Sequence, residues 1–329
     1  MPGVDEEVLY EAQGLESSVY EAGDGDFTVA VVAENHGDEH GPREVFDEMF
    51  RDLPDAYEDL KLSYVPEANV FAAGDTVRKT PLEYQPNQAD QHDLNRCYES
   101  ARQELHGDED LSKLGLTEQA AFHVLEYLEE LQPDLVIDMH SGTSGTFKLP
   151  QARYKHREEY PVEEDDMRGI VRNAGIDTMA SEPVEDAQML GAVAPKMGFP
   201  AVTLEVGGGV KYGWEDAFSE SEADTYRDVL VNMLDHALRG EETDFQPREF
   251  SGLQKRFIPM DFEEGTVEYH FPLGEEVLEG ETVATVRTEE GAEQELEAGT
   301  DGALETVLTE DQRNEVKPGN RVFNLALRE

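Results

Sequence analysis

The sequence predicts an α/β fold, a mostly parallel mixed sheet with flanking helices, followed by a small all-β domain. Three features point to it. Up to about residue 240, continuous apolar runs that suit strands buried on both faces alternate with stretches whose apolar residues recur at helical spacing. After a polar linker the texture changes to short alternating runs punctuated by glycine. The hydrophobic share, 38% with 28 glycines besides, can furnish a packed core in 329 residues despite a net charge of −49.

Taken in order, residues 1–26 read as polar, and the first strand signal is Phe27-Thr-Val-Ala-Val-Val-Ala33. It stops at Glu34-Asn-His-Gly-Asp-Glu39, after which Pro42 opens a helix over 42–53 with Val45, Phe46, Met49 and Phe50 on one face. Residues 61–73 read as extended, and 74–104 as irregular, carrying Asp93-Leu-Asn-Arg96. The spacing of Ala121, Val124, Leu125 and Leu128 predicts a helix over 117–131, ended by Pro133. A strand over 134–139 runs straight into His140-Ser-Gly-Thr143. A helix over 185–197 precedes a strand over 200–206 that meets Gly207-Gly-Gly209, and Ala223, Tyr226, Val229, Leu230, Met233 and Leu234 form the stripe of a helix over 220–239. The expected division is an α/β domain at 1–240, a linker at 241–248 and an all-β domain at 249–329, holding runs such as Glu281-Thr-Val-Ala-Thr-Val-Arg287.

The 75 acidic residues face only 26 Lys and Arg. Nucleic acid and anionic membranes need a basic footprint, so neither is an expected partner. The acids are spread along the whole chain, a pattern that resembles adaptation to molar intracellular salt, where counterions screen self-repulsion. Cys97 is the lone cysteine, which excludes an intramolecular disulfide. The first 25 residues are acidic without an apolar centre, and no apolar run approaches the ~18 residues of a membrane span, so a cytoplasmic protein is expected. The sequence is compatible with a homo-oligomer.

Chemistry gathers at three strand ends. His36 and Glu39, three residues apart past the first apolar strand, offer an imidazole and a carboxylate to one ion, a donor pair suited to Zn²⁺. By itself such a pair arises easily in so acidic a chain. His140 follows the second strand and supplies a third donor; the plain alternative is a histidine hydrogen-bonded to a loop. Asp138 shares its strand face and could orient the imidazole. Two His and one Glu leave a fourth tetrahedral position open, as in a catalytic site. Glu205 ends an apolar run, where a carboxylate is costly unless it meets a cation or works as a base; a solvent-exposed strand terminus is the alternative. A zinc-activated water with a carboxylate to remove its proton can hydrolyse an acyl bond.

His36-Gly-Asp-Glu39, Asp93-Leu-Asn-Arg96, Asp138-Met-His140 and Leu204-Glu-Val-Gly207, in this order and followed by a β domain, resemble the succinylglutamate desuccinylase/aspartoacylase family of zinc carboxypeptidase-like fold. The resemblance covers nearly all the chain after residue 26. It implies one zinc per chain on His36, Glu39 and His140, Glu205 as general base and acid, and Asn95 and Arg96 gripping the α-carboxylate of an acylated amino acid. A guanidinium fork suits a carboxylate bidentately. The family carries a further, carbonyl-polarising arginine ahead of the Asp-Leu-Asn-Arg motif. Here residues 85–92 hold none, so Arg78, Lys79, Gln88 or His92 would substitute. Ahead of Glu205 only Lys196 is offered to a substrate's side-chain carboxylate. His40 is expected to be a surface or supporting residue, since Gly37 stands where a His-Glu-x-x-His motif needs glutamate. Cys97 reads as a small apolar filler.

The β domain resembles the barrel-sandwich of biotinyl and lipoyl carriers, but no lysine lies between Arg256 and Val316 to carry the group. It is instead expected to border the active-site entrance. The function expected is a zinc-dependent amidohydrolase acting on an N-acyl amino acid or related small amide. A metallocarboxypeptidase, or a non-catalytic protein binding metal or an acidic ligand, are the alternatives.

Overall fold

The computed structural model describes residues 4–84, 92–105, 111–142, 145–180, 188–208, 219–308, 313 and 316–328. Its strands up to residue 208 are β1 (Val4–Ala12), β2 (Leu15–Ala22), β3 (Phe27–Val32), β4 (Leu60–Val65), β5 (Leu135–His140), β6 (Thr146–Tyr154), β7 (Asp177–Ala180) and β8 (Ala201–Gly208). The helices are α1 (Gly41–Met49), α2 (Leu53–Ala56), α3 (Val70–Ala73), α4 (Tyr98–Glu104), α5 (Leu116–Leu131), α6 (Glu164–Arg172), α7 (Leu190–Met197) and α8 (Glu220–Arg239). The C-terminal part is made of strands: β9 (Glu249–Phe257), β10 (Gly265–Tyr269), β11 (Glu276–Val277), β12 (Thr282–Thr288), β13 (Glu293–Glu297), β14 (Gly302–Leu308) and β15 (Arg321–Arg328).

One mixed sheet runs in the order β1-β2-β4-β3-β5-β8-β6-β7-β9-β15-β14-β11. Its centre, β4-β3-β5-β8, is parallel, because the helices that cross back over the sheet return each strand in the same direction. These strands are mostly apolar since both faces are covered. Phe46, Met167, Ile170, Tyr226 and Val229 from α1, α6 and α8 pack on one face. Phe71, Tyr98, Ala120, Leu125, Leu190 and Val193 from α3, α4, α5 and α7 pack on the other. Helix α8 starts at a reciprocal Ser219/Glu222 capping box and ends on Gly240 at φ 67°. Among the described residues no helix is long and apolar enough to cross a membrane.

Several expectations needed correction. Residues 4–22, read as polar, form a β-hairpin whose two-residue Gln13-Gly14 loop has both φ angles positive. The extended reading of 61–73 ends at Val65, and Asn69 Oδ1 caps the short α3 by accepting from Ala72 N at 3.3 Å. The irregular reading of 74–104 misses α4, and 146–180 holds β6, α6 and β7 unanticipated. Part of the helix expected over 185–197 falls outside the described residues; α7 begins at Leu190.

The C-terminal strands divide. β9, β15, β14 and β11 extend the large sheet, while β10-β12-β13 form a second one, with Val267, Val286, Leu304 and Phe323 in a shared cluster. β14 also pairs antiparallel with β6, aligning Thr306 with Lys148. That ladder ties the C-terminal strands directly to the strand beside β8.

Candidate active site

The carboxyl ends of β3, β5 and β8 lie side by side, the edge at which open α/β sheets place their ligands. Register sets His140 opposite Glu205 and Val32 opposite Asp138. The loop after β3 turns on Gly37, where a Cβ would sit 2.1 Å from the Ala72 carbonyl carbon, so only glycine lets the loop lie against α3. Glu34, buried at a left-handed φ of 51°, contacts His40 and takes a bond from Arg43 Nη1 at 3.3 Å, which pins the same loop. His40 is thereby a supporting residue, its other nitrogen 3.3 Å from Thr76 Oγ1.

His36, Glu39 and His140 are all buried, and one donor atom from each lies within 4.8 Å of the others. Glu39 bridges the imidazoles: Oε1 is 3.0 Å from His36 Nδ1 and Oε2 is 2.7 Å from His140 Nδ1. The far nitrogens face carboxylates, His36 Nε2 at 3.1 Å from Asp93 Oδ1 and His140 Nε2 at 3.0 Å from Asp138 Oδ1. Imidazoles that give their Nε2 protons to those carboxylates turn bare Nδ1 lone pairs on Glu39. Three lone-pair donors then converge with no proton between them, which favours a cation in their midst. Burial raises the Glu39 carboxyl, but positive charge at the two imidazoles, when they carry a proton towards it, more than offsets that and holds it well below its ordinary value; a cation in their midst would take over that role.

Every residue of Asp93-Leu-Asn-Arg96 is used. Asp93 Oδ1 caps the turn by accepting from Asn95 N at 3.0 Å as well as facing His36. Leu94 is core. Asn95 Oδ1 accepts from Leu190 N at 3.0 Å, which fixes its amide with Nδ2 3.1 Å from His140 Nε2. With that imidazole proton committed to Asp138, the Asn95 N–H remains a donor on the cleft wall. Arg96 donates to its neighbour's carbonyl at 2.8 Å and lines the cleft. Cys97 is buried, and burial pushes its thiol up to about 12, so it behaves as the filler the sequence suggested.

Glu205, 8% exposed, is not a solvated strand end. Lys148 Nζ donates to its Oε2 and Arg153 Nη1 to its Oε1 at 3.3 Å. Burial raises its carboxyl, yet those two cations leave it below the ordinary value. Both cations come from β6, whose pairing with β8 is irregular between Lys148 and Gln151, around Pro150.

The cleft over these groups is about 820 Å³ including its open mouth, and Leu253, Lys255, Glu305, Arg321 and Asn324 of the C-terminal strands form one wall. Among the described residues, seven Lys and Arg line it: Arg78, Arg96, Lys148, Arg153, Lys155, Lys255 and Arg321. Sequence reasoning anticipated only two of these, and the signal available was three bases within the eight residues Lys148 to Lys155. Of the four substitutes offered for the missing arginine, Arg78 lines the cleft, its Nη1 3.0 Å from Glu39 Oε1. Lys79 and His92 are not among the lining residues, and Gln88 lies outside the described residues. Lys196 does not line the cleft either: its ammonium donates to Glu99 Oε2 at 2.7 Å, an ion pair between α7 and α4.

Known proteins agree with this architecture. The solved succinylglutamate desuccinylase of Silicibacter sp. TM1040 superposes with a TM-score of 0.75 at 20% identity, covering 100% of this chain and 96% of that one. The product-bound ectoine utilization protein EutE (DoeB) of Ruegeria pomeroyi gives 0.75 at 21% identity, over 99% and 96%. An aspartoacylase family protein of Mesorhizobium loti gives 0.71 at 19% identity, over 100% and 96%. At these identities the likeness is one of fold. No curated protein matches by sequence. The family model described as the succinylglutamate desuccinylase/aspartoacylase catalytic domain matches residues 26–237, well over half of the chain, which therefore belongs to the succinylglutamate desuccinylase/aspartoacylase family of hydrolases.

Proposed function

We propose that this chain is a zinc-dependent amidohydrolase that removes the acyl group from an N-acyl amino acid. The observation that carries the reading is the pairing of a buried His36/Glu39/His140 donor set with a buried Glu205 carboxylate in one cation-lined cleft. His36 and His140 through Nδ1, with Glu39, would hold one Zn²⁺, and neutral nitrogens with a single carboxylate suit that ion better than an oxygen-seeking one. Zinc bound there supplies Lewis acidity that polarises the amide carbonyl and makes water a ready nucleophile.

The chain's own residues do the rest. Asp93 and Asp138 keep the Nε2 protons and so the ligand tautomer. Arg96, with Asn95 Nδ2, grips the α-carboxylate and fixes the amide over Glu205. Glu205 accepts a proton from the attacking water at a carboxylate oxygen and returns it to the nitrogen of the leaving amine. Arg78 is the cation available to the carbonyl oxygen as it gains charge. Within the C-terminal residues 249–329, we read the barrel-sandwich-like strands as the wall of the substrate entrance, set off by the linker at 241–248. Seven cleft cations in a chain of charge −49 favour an acidic substrate.

Amine release from N-acetyl, N-succinyl and dipeptide substrates, in molar salt with zinc, tests the reading. Release from N-acyl amino acids supports it, whereas release from dipeptides alone would make the protein a carboxypeptidase.

Lys155 supplies a pH signature. Burial, with the Arg96 and Arg153 charges beside it and only partial help from Asp138, pushes its ammonium down to about 8. Above that pH it is neutral and its attraction for an anionic substrate is gone. KM is therefore expected to rise as pH passes through about 8, and Lys155→Met should raise KM at neutral pH and abolish the step. A KM profile with the same step in the variant would free Lys155 of this role.

The acid excess carries its own expectation, that of a protein adapted to intracellular molar salt. Folding should require on the order of 1 M salt, where the Debye length is ~3 Å. A cooperative melt well above room temperature in dilute buffer would contradict it.

A further inference from the structure

Glu305 is a fully buried acid of the C-terminal strands. It sits in the middle of β14 with 0% exposure, and a buried carboxylate is costly unless both its oxygens are hydrogen-bonded. Here they are: Oε1 accepts from Arg153 Nη2 at 2.7 Å, and Oε2 accepts from Asn324 Nδ2 at 3.0 Å and from the Thr306 hydroxyl. Arg153 is fixed in turn. Its Nε and Nη2 donate to Gln151 Oε1 at 3.1 and 3.0 Å, which leaves Nη1 for Glu205 Oε1. The scaffold beneath is continuous, since β8, β6 and β14 are neighbours, with Gln151 opposite Glu205 and Thr306 opposite Lys148.

The consequence lies in what Arg153 is prevented from doing. A guanidinium beside a lone carboxylate closes on it through two parallel bonds, which masks both oxygens and weakens the base. By occupying Nη2, Glu305 limits Arg153 to a single bond of 3.3 Å with Glu205. The four charges Glu205, Lys148, Arg153 and Glu305 also sum to zero, so the base does not sit in an excess of positive charge.

We propose that Glu305 is a positioning residue for Glu205, holding the Arg153 guanidinium to a single bond so that the Glu205 carboxylate, which also meets Lys148, keeps a lone pair open to the reacting amide. The C-terminal strands thereby contribute to catalysis as well as to the cleft wall. This rests on the reading of Glu205 as the base.

The test compares Glu305→Gln, Glu305→Asp, Arg153→Gln, the double variant Arg153→Gln/Glu305→Gln and Glu205→Gln, each in molar salt with kcat, KM, zinc content and Tm measured on one sample. Glu305→Gln, whose neutral amide oxygen holds Nη2 without the charge that keeps the guanidinium from closing on Glu205, should lose kcat about 10- to 100-fold, the range for residues that orient a reacting group, with KM and zinc unchanged. Glu305→Asp should recover part of the loss. The double variant should turn over at the same rate as Arg153→Gln alone, because Glu305 acts only through Arg153. It removes both charges together, so it reports even where a single variant fails to fold. A purely structural Glu305 predicts lower Tm with kcat within about twofold of the wild type in folded protein, and that result, or losses that multiply in the double variant, would overturn the proposal. Wild-type turnover by Glu205→Gln would remove the base and this proposal together, whereas an inactive Glu205→Gln beside a fully active Glu305→Gln removes only the role of Glu305.

Discussion

Replacing Glu205 by Gln is expected to lower kcat by about 10²–10⁴-fold while zinc content and KM hold. Glutamine keeps the shape of the side chain and can still accept from Lys148 or Arg153 through its one oxygen, but it has no carboxylate to take the proton from water. The loss amounts to roughly 3–5 kcal/mol of transition-state stabilisation. A different outcome follows if Glu205 only balances the two cations of β6. The variant then leaves Lys148 buried without its counter-charge and Arg153 with Glu305 alone, so stability falls and turnover of the folded fraction changes a few-fold. Stability and turnover measured on one sample separate the two, and near-normal kcat would remove Glu205 from the chemistry.

His140→Ala is expected to lose the zinc and, with it, measurable turnover. The substitution removes one of three donors and leaves Glu39 and Asp138 facing each other across the gap, two buried acids that His140 now separates. Ligand loss of this kind is more severe than loss of an orienting partner, which costs about 10–100-fold in metal affinity. Metal analysis of the folded variant decides it: zinc at the wild-type ratio would show that His140 is not a ligand.

The site was legible in the sequence wherever chemistry follows a fully buried strand. His36 lies three residues past one largely apolar run, and His140 and Glu205 end two others; such runs fix both the strand and the edge at which it stops. Asp93 and Asn95 were legible only as parts of a motif, since their approach to His36 and His140 depends on how 74–104 folds back. β6 escaped because Pro150 and its three bases argue against a strand; the structure accommodates the proline at an irregularity in the β6–β8 pairing. The N-terminal hairpin escaped because its glutamates alternate with its few buried residues on half-exposed strands. Glu305 carried the same signal as Glu205, an acid inside an apolar strand, and was overlooked in a segment otherwise read for its missing lysine.

On the proposed reading, a metal held by His36, Glu39 and His140 makes this chain a deacylase. Amine release from an N-acyl amino acid, followed in molar salt by the purified protein, by the same protein after chelation and dialysis, and again after one equivalent of zinc, tests it most directly. The expected result is turnover that disappears with the metal and returns with a single zinc per chain. Turnover that continues unchanged once the metal has been removed would contradict the account.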